Sequence, residues 1–468
     1  MKKKQVLSAL LTAGLVLSAT GVSAQGPNNV QNTPNINSIS AFDNKIIKKI
    51  SADNMYNTIK LLSEQPRVAG TDGELKAVHY IQSQFEQYGY ETEIQPFKIY
   101  DSVRNNVSGA LTINGQDLKP YVFTGSYSAE VTAEVIDVGK ALPGTVPDTV
   151  KGKIALIERG DNPFVDKIKN VIEKGAVGVI MYNNSGTSNA FGSADPGQNI
   201  PAVAITRAQG LDLVGQLKSE TISAQLKVSG SGFVEKTSYN VIAKMKPNKN
   251  KDTGQVVMVS AHHDSIPGGP GANDDASGVS AVLELARVMA NMPIDTELRF
   301  VTFGSEEKGL LGSYHYARSL SDSEADRIVG QFQIEMIGSK DSGGDHNAKG
   351  LIMYTLDGMK NIVTDLGAAA GARTAVKEIL TYGKVGRSDH QPFHEIGVPA
   401  AVFCHAPLEK WYHTPQDTID KIDKTKLQEA AEVIGAAVYQ IARPDTPALE
   451  HSRVAPKPVD YDFENRPL

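Results

Sequence analysis

The feature that most constrains the fold is an alternation of short apolar runs with amphipathic helical segments between residues 236 and 442. Gly278–Met292 and Lys424–Ala442 have the helical pattern. The apolar runs are Val256–Ser260, Leu298–Thr302, Phe332–Met336, Leu351–Tyr354 and Ala400–Phe403. Strands that are apolar throughout are typical of a sheet covered by helices on both faces. The pattern therefore predicts an α/β fold with a mixed, mostly parallel sheet sandwiched between helices.

The segment before this block is mainly helical. Apolar residues recur at helical spacing after Asp43, and a second helix is predicted from about Gly73 to Tyr88. Residues 130–230 instead predict a smaller, β-rich α/β module with helices at 165–174 and 207–218. This module contains no histidine, so we do not expect a histidine-dependent site in it. A substrate or partner module, a lid and a plain stabilising insertion all remain open.

The first 24 residues have the pattern of a secretory signal peptide. Lys2–Lys4 is basic, Val6–Ala19 is apolar and uncharged, and Val22–Ala24 has the small residues of a cleavage site. The apolar run is too short to span a bilayer. We therefore expect cleavage after Ala24, secretion to the extracellular side, and no membrane attachment of the mature chain.

Composition excludes several classes of protein and of site. The chain is 40% hydrophobic and 21% charged, which is ordinary for a globular protein, and its net charge of −6 gives no general attraction to nucleic acid. Cys404 is the only cysteine of the sequence, so an intramolecular disulfide and a thiolate metal site are excluded. The polar residues 25–40 predict a flexible linker or pro-segment, and the proline-rich residues 443–468 predict a flexible tail.

Polar residues follow the predicted strands, at the positions where parallel sheets bind ligands. His262 and Asp264 follow the first strand, and such a pair suits a metal ligand with its second ring nitrogen held, although a plain buried histidine fits as well. Asp274 and Asp275 precede a helix, so that one can cap it while the other points toward a cation.

Further carboxylates follow the next two strands. Glu306 and Glu307 come after the second strand, where adjacent carboxylates need a compensating cation or proton unless they form an exposed pair at a helix start. Glu335 lies inside an apolar run and needs a partner. Two more polar clusters lie at Gly386–His390 and Trp411–Thr414.

Together these clusters supply two imidazoles and three carboxylates, a set that fits two divalent ions with a bridging carboxylate. Two such ions, about 3.5–4 Å apart, can activate a water and polarise a carbonyl. Glu306, beside one of these carboxylates, is the natural general base for that water. The predicted metal ligands are His262, Asp274, Glu307, Glu335 and His413.

These segments resemble the di-zinc aminopeptidase family of the leucyl aminopeptidase and aminopeptidase Y type. The matching segments are PRVAGTDG, AHHDS, GPGANDDASG, SEEKGLLGS, FQIEMIGS, GRSDHQPF and WYHTPQDT, in the family's order. The resemblance implies a zinc exopeptidase fold and two Zn²⁺ per chain bridged by Asp274. It pairs His262 with Glu335 on one zinc, and Glu307 with His413 on the other.

The resemblance also implies roles beyond metal binding. Glu306 would be the base and proton shuttle, and Tyr412 would lie near the substrate carbonyl and stabilise the oxyanion. Asp264 would hold the ring of His262, and Asp389 is a second candidate for supporting the ligands. Glu335 departs from the many relatives that have Asp at this position, but its chemistry is the same.

GKIALIERG, GAVGVIMYNN and IPAVAI resemble a protease-associated domain, which in relatives is inserted between an early helical segment and the metal-binding core. We therefore expect such a domain at 126–235, inserted into a peptidase domain formed by residues 41–125 and 236–442. The resemblance implies an aminopeptidase that hydrolyses the first peptide bond of peptides with a free N-terminus, and we expect it to be secreted and monomeric.

Three alternatives compete with this activity. A zinc exopeptidase like the glutamate carboxypeptidases would need basic residues for a C-terminal carboxylate, and Arg387 is one candidate. A one-zinc glutaminyl cyclase is disfavoured by the complete set of two-metal ligands. An inactive binding homologue, as in the transferrin receptors, is disfavoured because all five ligand positions are intact.

Overall fold

The computed structural model describes residues 36–190, 192, 199–247, 250–341, 350–374, 376–444, 446–450 and 453–455. The signal peptide predicted at 1–24 and the linker residues 25–35 lie outside the described residues. Residues 36–40, which we expected in that linker, instead begin a helix. None of the helices in the described ranges combines the length and the apolar character needed to span a bilayer.

The elements are numbered along the chain. The helices are α1 (Ile36–Ile47), α2 (Ala52–Leu62), α3 (Asp72–Gln87), α4 (Phe164–Glu173), α5 (Arg207–Gln216), α6 (Ala276–Met289), α7 (Leu311–Ser319), α8 (Asp322–Arg327), α9 (Ile362–Gly371), α10 (His390–Glu395) and α11 (Lys424–Ala442). The strands are β1 (Glu91–Ile113), β2 (Gln116–Leu118), β3 (Tyr121–Val122), β4 (Glu130–Asp137), β5 (Ile154–Glu158), β6 (Gly178–Tyr182), β7 (Ala202–Ile205), β8 (Ser223–Met245), β9 (Val256–His262), β10 (Glu297–Phe303), β11 (Ile328–Ile334), β12 (Gly350–Thr355), β13 (Tyr382–Lys384) and β14 (Ala400–Ala406).

The described chain divides into two compact units. The first contains the residues up to Ile99 and from Thr237 onward, and the second contains Tyr100–Lys236. The sequence predicts the inserted domain at 126–235, and the second unit extends from Tyr100 to Lys236. Both boundaries of this unit fall within the long strands β1 and β8.

The sheet of the first unit has the strand order β13-β12-β14-β11-β9-β10-β8. The central strands β14, β11, β9 and β10 are parallel, whereas β8 is antiparallel to β10 and β12 is antiparallel to β14. Val257 and Val259 of β9 pack in the core that includes α2, α6 and α11. Val256 and Met258 pack on the opposite face with residues of α7, α8 and α10. The predicted sandwich of a mostly parallel sheet between helices is therefore confirmed.

The second unit is built around the parallel strands β4, β5, β6 and β7, with β3 antiparallel at the end next to β7. Alternate residues of β5 face two apolar clusters. Ala155 and Ile157 pack with α4, and Ile154 and Leu156 pack with α5. This is the β-rich α/β module that the sequence predicts.

The described part of the tail is packed, although the sequence predicts a flexible segment from 443 onward. Leu449 packs against the main core of the first unit, and its backbone exchanges hydrogen bonds with the Gln255 side chain. Arg453 bonds to Asp326 at 2.6 Å and to the Ile396 carbonyl at 3.0 Å. The proline-rich composition of the tail therefore did not predict which of its residues contact the domain surface.

Candidate metal centre

The predicted ligands gather at one edge of the first unit's sheet, where β9, β10, β11 and β14 all end. His262 is the last residue of β9, and Glu307 lies in a short 3-10 helix after β10. Glu335, predicted inside a strand, lies one residue beyond the end of β11 because the chain turns at Met336, whose φ is 51°. Parallel strands end at the same edge of a sheet, so residues distant in sequence meet there.

The five predicted metal ligands form two groups of three that share Asp274. The first group is His262, Asp274 and Glu335, and the second is Asp274, Glu307 and His413; within each group the candidate ligand atoms lie within 4.8 Å of one another. Asp274 Oδ1 is 3.1 Å from His262 Nε2, and its Oδ2 is 3.2 Å from His413 Nε2. His413 Nε2 is also 3.0 Å from Glu307 Oε2. One carboxylate therefore faces both groups.

The structure shows which of the adjacent aspartates before α6 caps the helix and which faces the candidate metal centre. Asp275 is the N-cap of α6, and its side chain accepts a hydrogen bond from the Gly278 amide at 2.9 Å. It also accepts from the amides of Met336 at 3.1 Å and His262 at 3.3 Å. Asp275 thus holds together the backbone of three segments of the site, while Asp274 turns toward the histidines.

The two glutamates after β10 also differ in their surroundings. Their backbone amides both donate to Asp264, at 3.0 Å for Glu306 and 3.3 Å for Glu307. Asp264 is fully buried, and its carboxylate lies 3.5 Å from Nδ1 of His262. The same carboxylate therefore steadies a ligand ring and the segment that carries both glutamates. Glu307 belongs to a ligand group, whereas Glu306 belongs to neither and is free for another role.

Burial and crowding of charge shift the pKa values of this cluster. Burial raises the pKa of Glu307 and of Glu335 to about 7, and that of Glu306 well above its ordinary value, with neighbouring carboxylates adding to the effect. Burial alone would lower the pKa of His413, but hydrogen bonds to Asp274 and Glu307 raise it to about 10. The cluster thus holds more buried negative charge than its own side chains neutralise, and protons or cations must make up the difference.

The donor set fits zinc. Imidazole nitrogens and carboxylate oxygens are ligands that Zn²⁺ accepts, and catalytic sites leave a coordination position open for water or substrate. Each group offers three protein ligands, and the shared carboxylate suits a bridge between two ions. The buried excess of carboxylates is what a pair of divalent cations would offset.

Two further predicted residues have different partners. The ring of Tyr412 stacks on that of His413, with centroids 3.7 Å apart and an interplanar angle of 22°. Asp389, predicted to support the ligands, accepts hydrogen bonds from Ser313 and Gln333. The contact to a predicted ligand comes from its neighbour, since Ser388 Oγ donates to Glu335. Sequence spacing located the segment but not which of its two adjacent side chains faces the site.

Arg67 and Asp417 were given no role by the sequence analysis. Both are buried, and both form hydrogen bonds with the backbone of the loop that precedes Asp274. The available signal was a charged residue inside each of two segments that match the family, PRVAGTDG and WYHTPQDT. Their partners are backbone groups, which no residue pattern specifies.

Comparison with known proteins identifies the family of the chain. The model of peptidase family M28 matches residues 240–438, and that of the PA domain matches residues 125–213. Aminopeptidase YwaD of Bacillus subtilis strain 168 is 37% identical over 452 residues, which cover 93% of this chain and 92% of the relative.

Two solved structures are similar over nearly their whole length. An aminopeptidase from Aneurinibacillus sp. strain AM-1 is 47% identical with a TM-score of 0.63, covering 90% of this chain and 99% of its own. The zinc aminopeptidase BSAP from Bacillus subtilis is 36% identical with a TM-score of 0.56, covering 87% of this chain and 98% of its own. The chain belongs to peptidase family M28, and it carries a PA domain inserted into the peptidase fold.

Proposed function

We propose that this protein is a secreted zinc aminopeptidase that removes the N-terminal residue of peptides at a centre of two zinc ions. The observation that carries the proposal is the pair of ligand groups joined by Asp274, with the unassigned carboxylate of Glu306 beside them. The aminopeptidase names of the YwaD relative and of the two solved structures support the same reaction.

The residues of the chain take distinct parts in the reaction. Zinc, when bound, supplies Lewis acidity that lowers the pKa of water and polarises a carbonyl. His262 and Glu335 would hold one ion, Glu307 and His413 the other, and Asp274 both. Glu306 takes a proton from the attacking water and returns it to the leaving amine, which needs a carboxylate that is not itself a ligand.

Tyr412 is assigned to the oxyanion. Burial raises the pKa of its hydroxyl above the ordinary value, and the surrounding carboxylates add to this, so the group stays protonated and able to donate. Its ring is held by stacking on His413, a zinc ligand in this proposal. A donor fixed in advance costs little reorganisation when negative charge develops on the substrate oxygen.

Secretion and a monomeric state complete the proposal. The basic, apolar and small-residue segments of residues 1–24 support export with cleavage after Ala24. Both ligand groups come from a single chain, which supports a monomer as the active form. N-terminal sequencing of the protein from culture medium, and light scattering of the purified protein, test the two statements. Retention in cells or a stable dimer would contradict them.

One assay tests the reaction. The purified mature protein is given leucine p-nitroanilide, its N-acetylated form, and an N-blocked peptide ending in glutamate. Cleavage of the first substrate alone, lost with a chelator and restored by zinc, is the expected result. Cleavage of the blocked, glutamate-terminated peptide would instead establish the carboxypeptidase alternative, and activity that survives complete metal removal would refute a zinc enzyme.

A further inference from the structure

Three consecutive backbone amides that lead to the shared carboxylate are all bound by one residue. The Ala272 amide donates to the Asp417 carbonyl at 3.2 Å. The Asn273 amide donates to Asp417 Oδ1 at 2.8 Å, and the Asp274 amide donates to Asp417 Oδ2 at 3.0 Å. Asp417 is only 2% exposed, so water does not compete for these bonds. Both oxygens of one carboxylate are therefore occupied by the backbone of a predicted zinc ligand and its neighbour.

A buried arginine holds the preceding two residues of the same loop. Arg67 donates to the carbonyls of Pro270 at 2.6 Å and Gly271 at 3.0 Å, and to that of His263 at 2.7 Å. It is 1% exposed. Gly271 has a φ of 60°, and a Cβ there would meet the Asp274 carbonyl oxygen at 2.2 Å. Every backbone residue from 270 to 274 is thus bound by one of two buried residues of opposite charge, Arg67 or Asp417.

We propose that Asp417, which binds the loop that Arg67 also holds, is a positioning residue that sets Asp274 for both zinc ions at once. The inference rests on the proposed two-zinc function. Asp274 is the only member that the two ligand groups of the described residues share, so its displacement would reach both ions. Asp417 follows His413 by four residues, and its amide donates to the Thr414 carbonyl, which joins the His413 segment to the Asp274 loop.

The chemistry of the contact requires a carboxylate. Asparagine would fill the same space, but it has one acceptor oxygen and one NH₂ group. Its NH₂ group would face the N–H of Asn273 or of Asp274, so one amide would lose its acceptor and meet a donor. Loss of an outer partner of a metal ligand typically weakens metal binding about 10–100-fold. We expect Asp417→Asn to lower the binding affinity for both zinc ions by a factor in this range.

The test compares zinc binding of the full-length mature protein and its Asp417→Asn variant by titration against a colorimetric zinc chelator. Asp420→Asn is the matched control, because the Asp420 side chain is exposed and bonds to Thr418 and Lys421 of its own loop. The hydrogen bond from Lys340 goes to the backbone carbonyl of Asp420, which the substitution keeps. Thermal melting of the metal-free proteins reports folding separately. The expected result is a joint 10–100-fold loss for both ions in a folded variant, with the control unchanged.

Two results would overturn the proposal. The first is unchanged affinity for both ions, and the second is weakening of a single ion, which would mean that Asp417 acts through His413 alone. If Asp417→Asn does not fold, Asp417→Glu takes its place, because it keeps the charge and both oxygens on a side chain that is one methylene longer. This variant must also lose affinity for both zinc ions, by a smaller factor. A wild-type protein that binds fewer than two zinc ions would refute the two-zinc function, while the affinity ratio of variant to wild type would still decide the role of Asp417.

Discussion

Replacing Glu306 by glutamine tests the centre of the proposed mechanism. Glutamine has the shape of glutamate but cannot take a proton from water. The backbone amide of residue 306 donates to Asp264 irrespective of the side chain, so the local structure should persist. Because Glu306 belongs to neither ligand group, the Glu306→Gln variant should bind zinc as the wild type does.

The structure sets the size of the expected loss. General base catalysis contributes about 10²–10⁴-fold. Other buried carboxylates of the described site are already engaged: Asp264 and Asp275 bind backbone amides, and Asp389 binds Ser313. No described neighbour is therefore placed to substitute for Glu306, and the loss in kcat should lie near the upper end, about 10³–10⁴-fold. This corresponds to about 4–5 kcal/mol in the activation free energy.

The assay measures kcat and KM for leucine p-nitroanilide together with zinc per chain by elemental analysis. Glu307→Gln is the matched comparison, because the same change one residue later removes the charge of a predicted ligand and should lower zinc content. A Glu306→Gln variant that keeps its zinc and turns over within tenfold of wild type would refute the role of Glu306 as base.

Three further predictions follow from other contacts. His413→Ala should lose about one zinc ion per chain, because only the second ligand group depends on it; retention of both ions, measured by elemental analysis, would contradict the assignment. Burial raises the pKa of Glu409 from 4.5 to about 7, so the folded state binds the proton more tightly and stability falls as pH rises between these values. Glu409→Gln should therefore melt at a higher temperature than wild type at pH 8 but not at pH 4, and equal differences at both pH values would exclude this cause. Arg453→Ala should lower the free energy of unfolding by about 1 kcal/mol, because it removes the contacts of the tail to Asp326 and to the Ile396 carbonyl; denaturant melts that coincide with wild type would show that the tail adds no stability.

The sequence allowed the ligand set to be predicted because the site follows a simple topological rule. His262 ends a buried strand, Glu335 directly follows one and Glu307 lies four residues beyond one, and the ends of parallel strands meet at one edge. The apolar runs identified the strands, and the polar residues that interrupt or follow them were costly to bury without partners. Because imidazole and carboxylate groups are the available ligands, the residue types then limited which metal ions the site can bind.

The contacts that hold the ligands in place could not be predicted in the same way. Arg67 is more than 200 residues from the carbonyls of Pro270 and Gly271 that it binds. A hydrogen bond to a backbone carbonyl leaves no signature in the residue that supplies the carbonyl, because every residue has one. Asp389 is the support predicted in its segment, whereas Ser388 is the residue whose hydroxyl donates to Glu335, and this difference depends on the direction of each side chain.

The backbone beside the ligands explains why the surrounding contacts are so dense. Ser305, Met336 and His413 have φ values of 58°, 51° and 55°, and each is a predicted ligand or lies within two residues of one. A non-glycine residue in this left-handed region costs of the order of 1–3 kcal/mol and persists only where its surroundings fix it. The hydrogen bonds of Asp264, Asp275 and their neighbours provide that fixation. The site thus combines an unfavourable backbone conformation with buried like charges. The hydrogen bonds at the sheet edge, at the helix cap and among the buried side chains together offset the energetic cost of both.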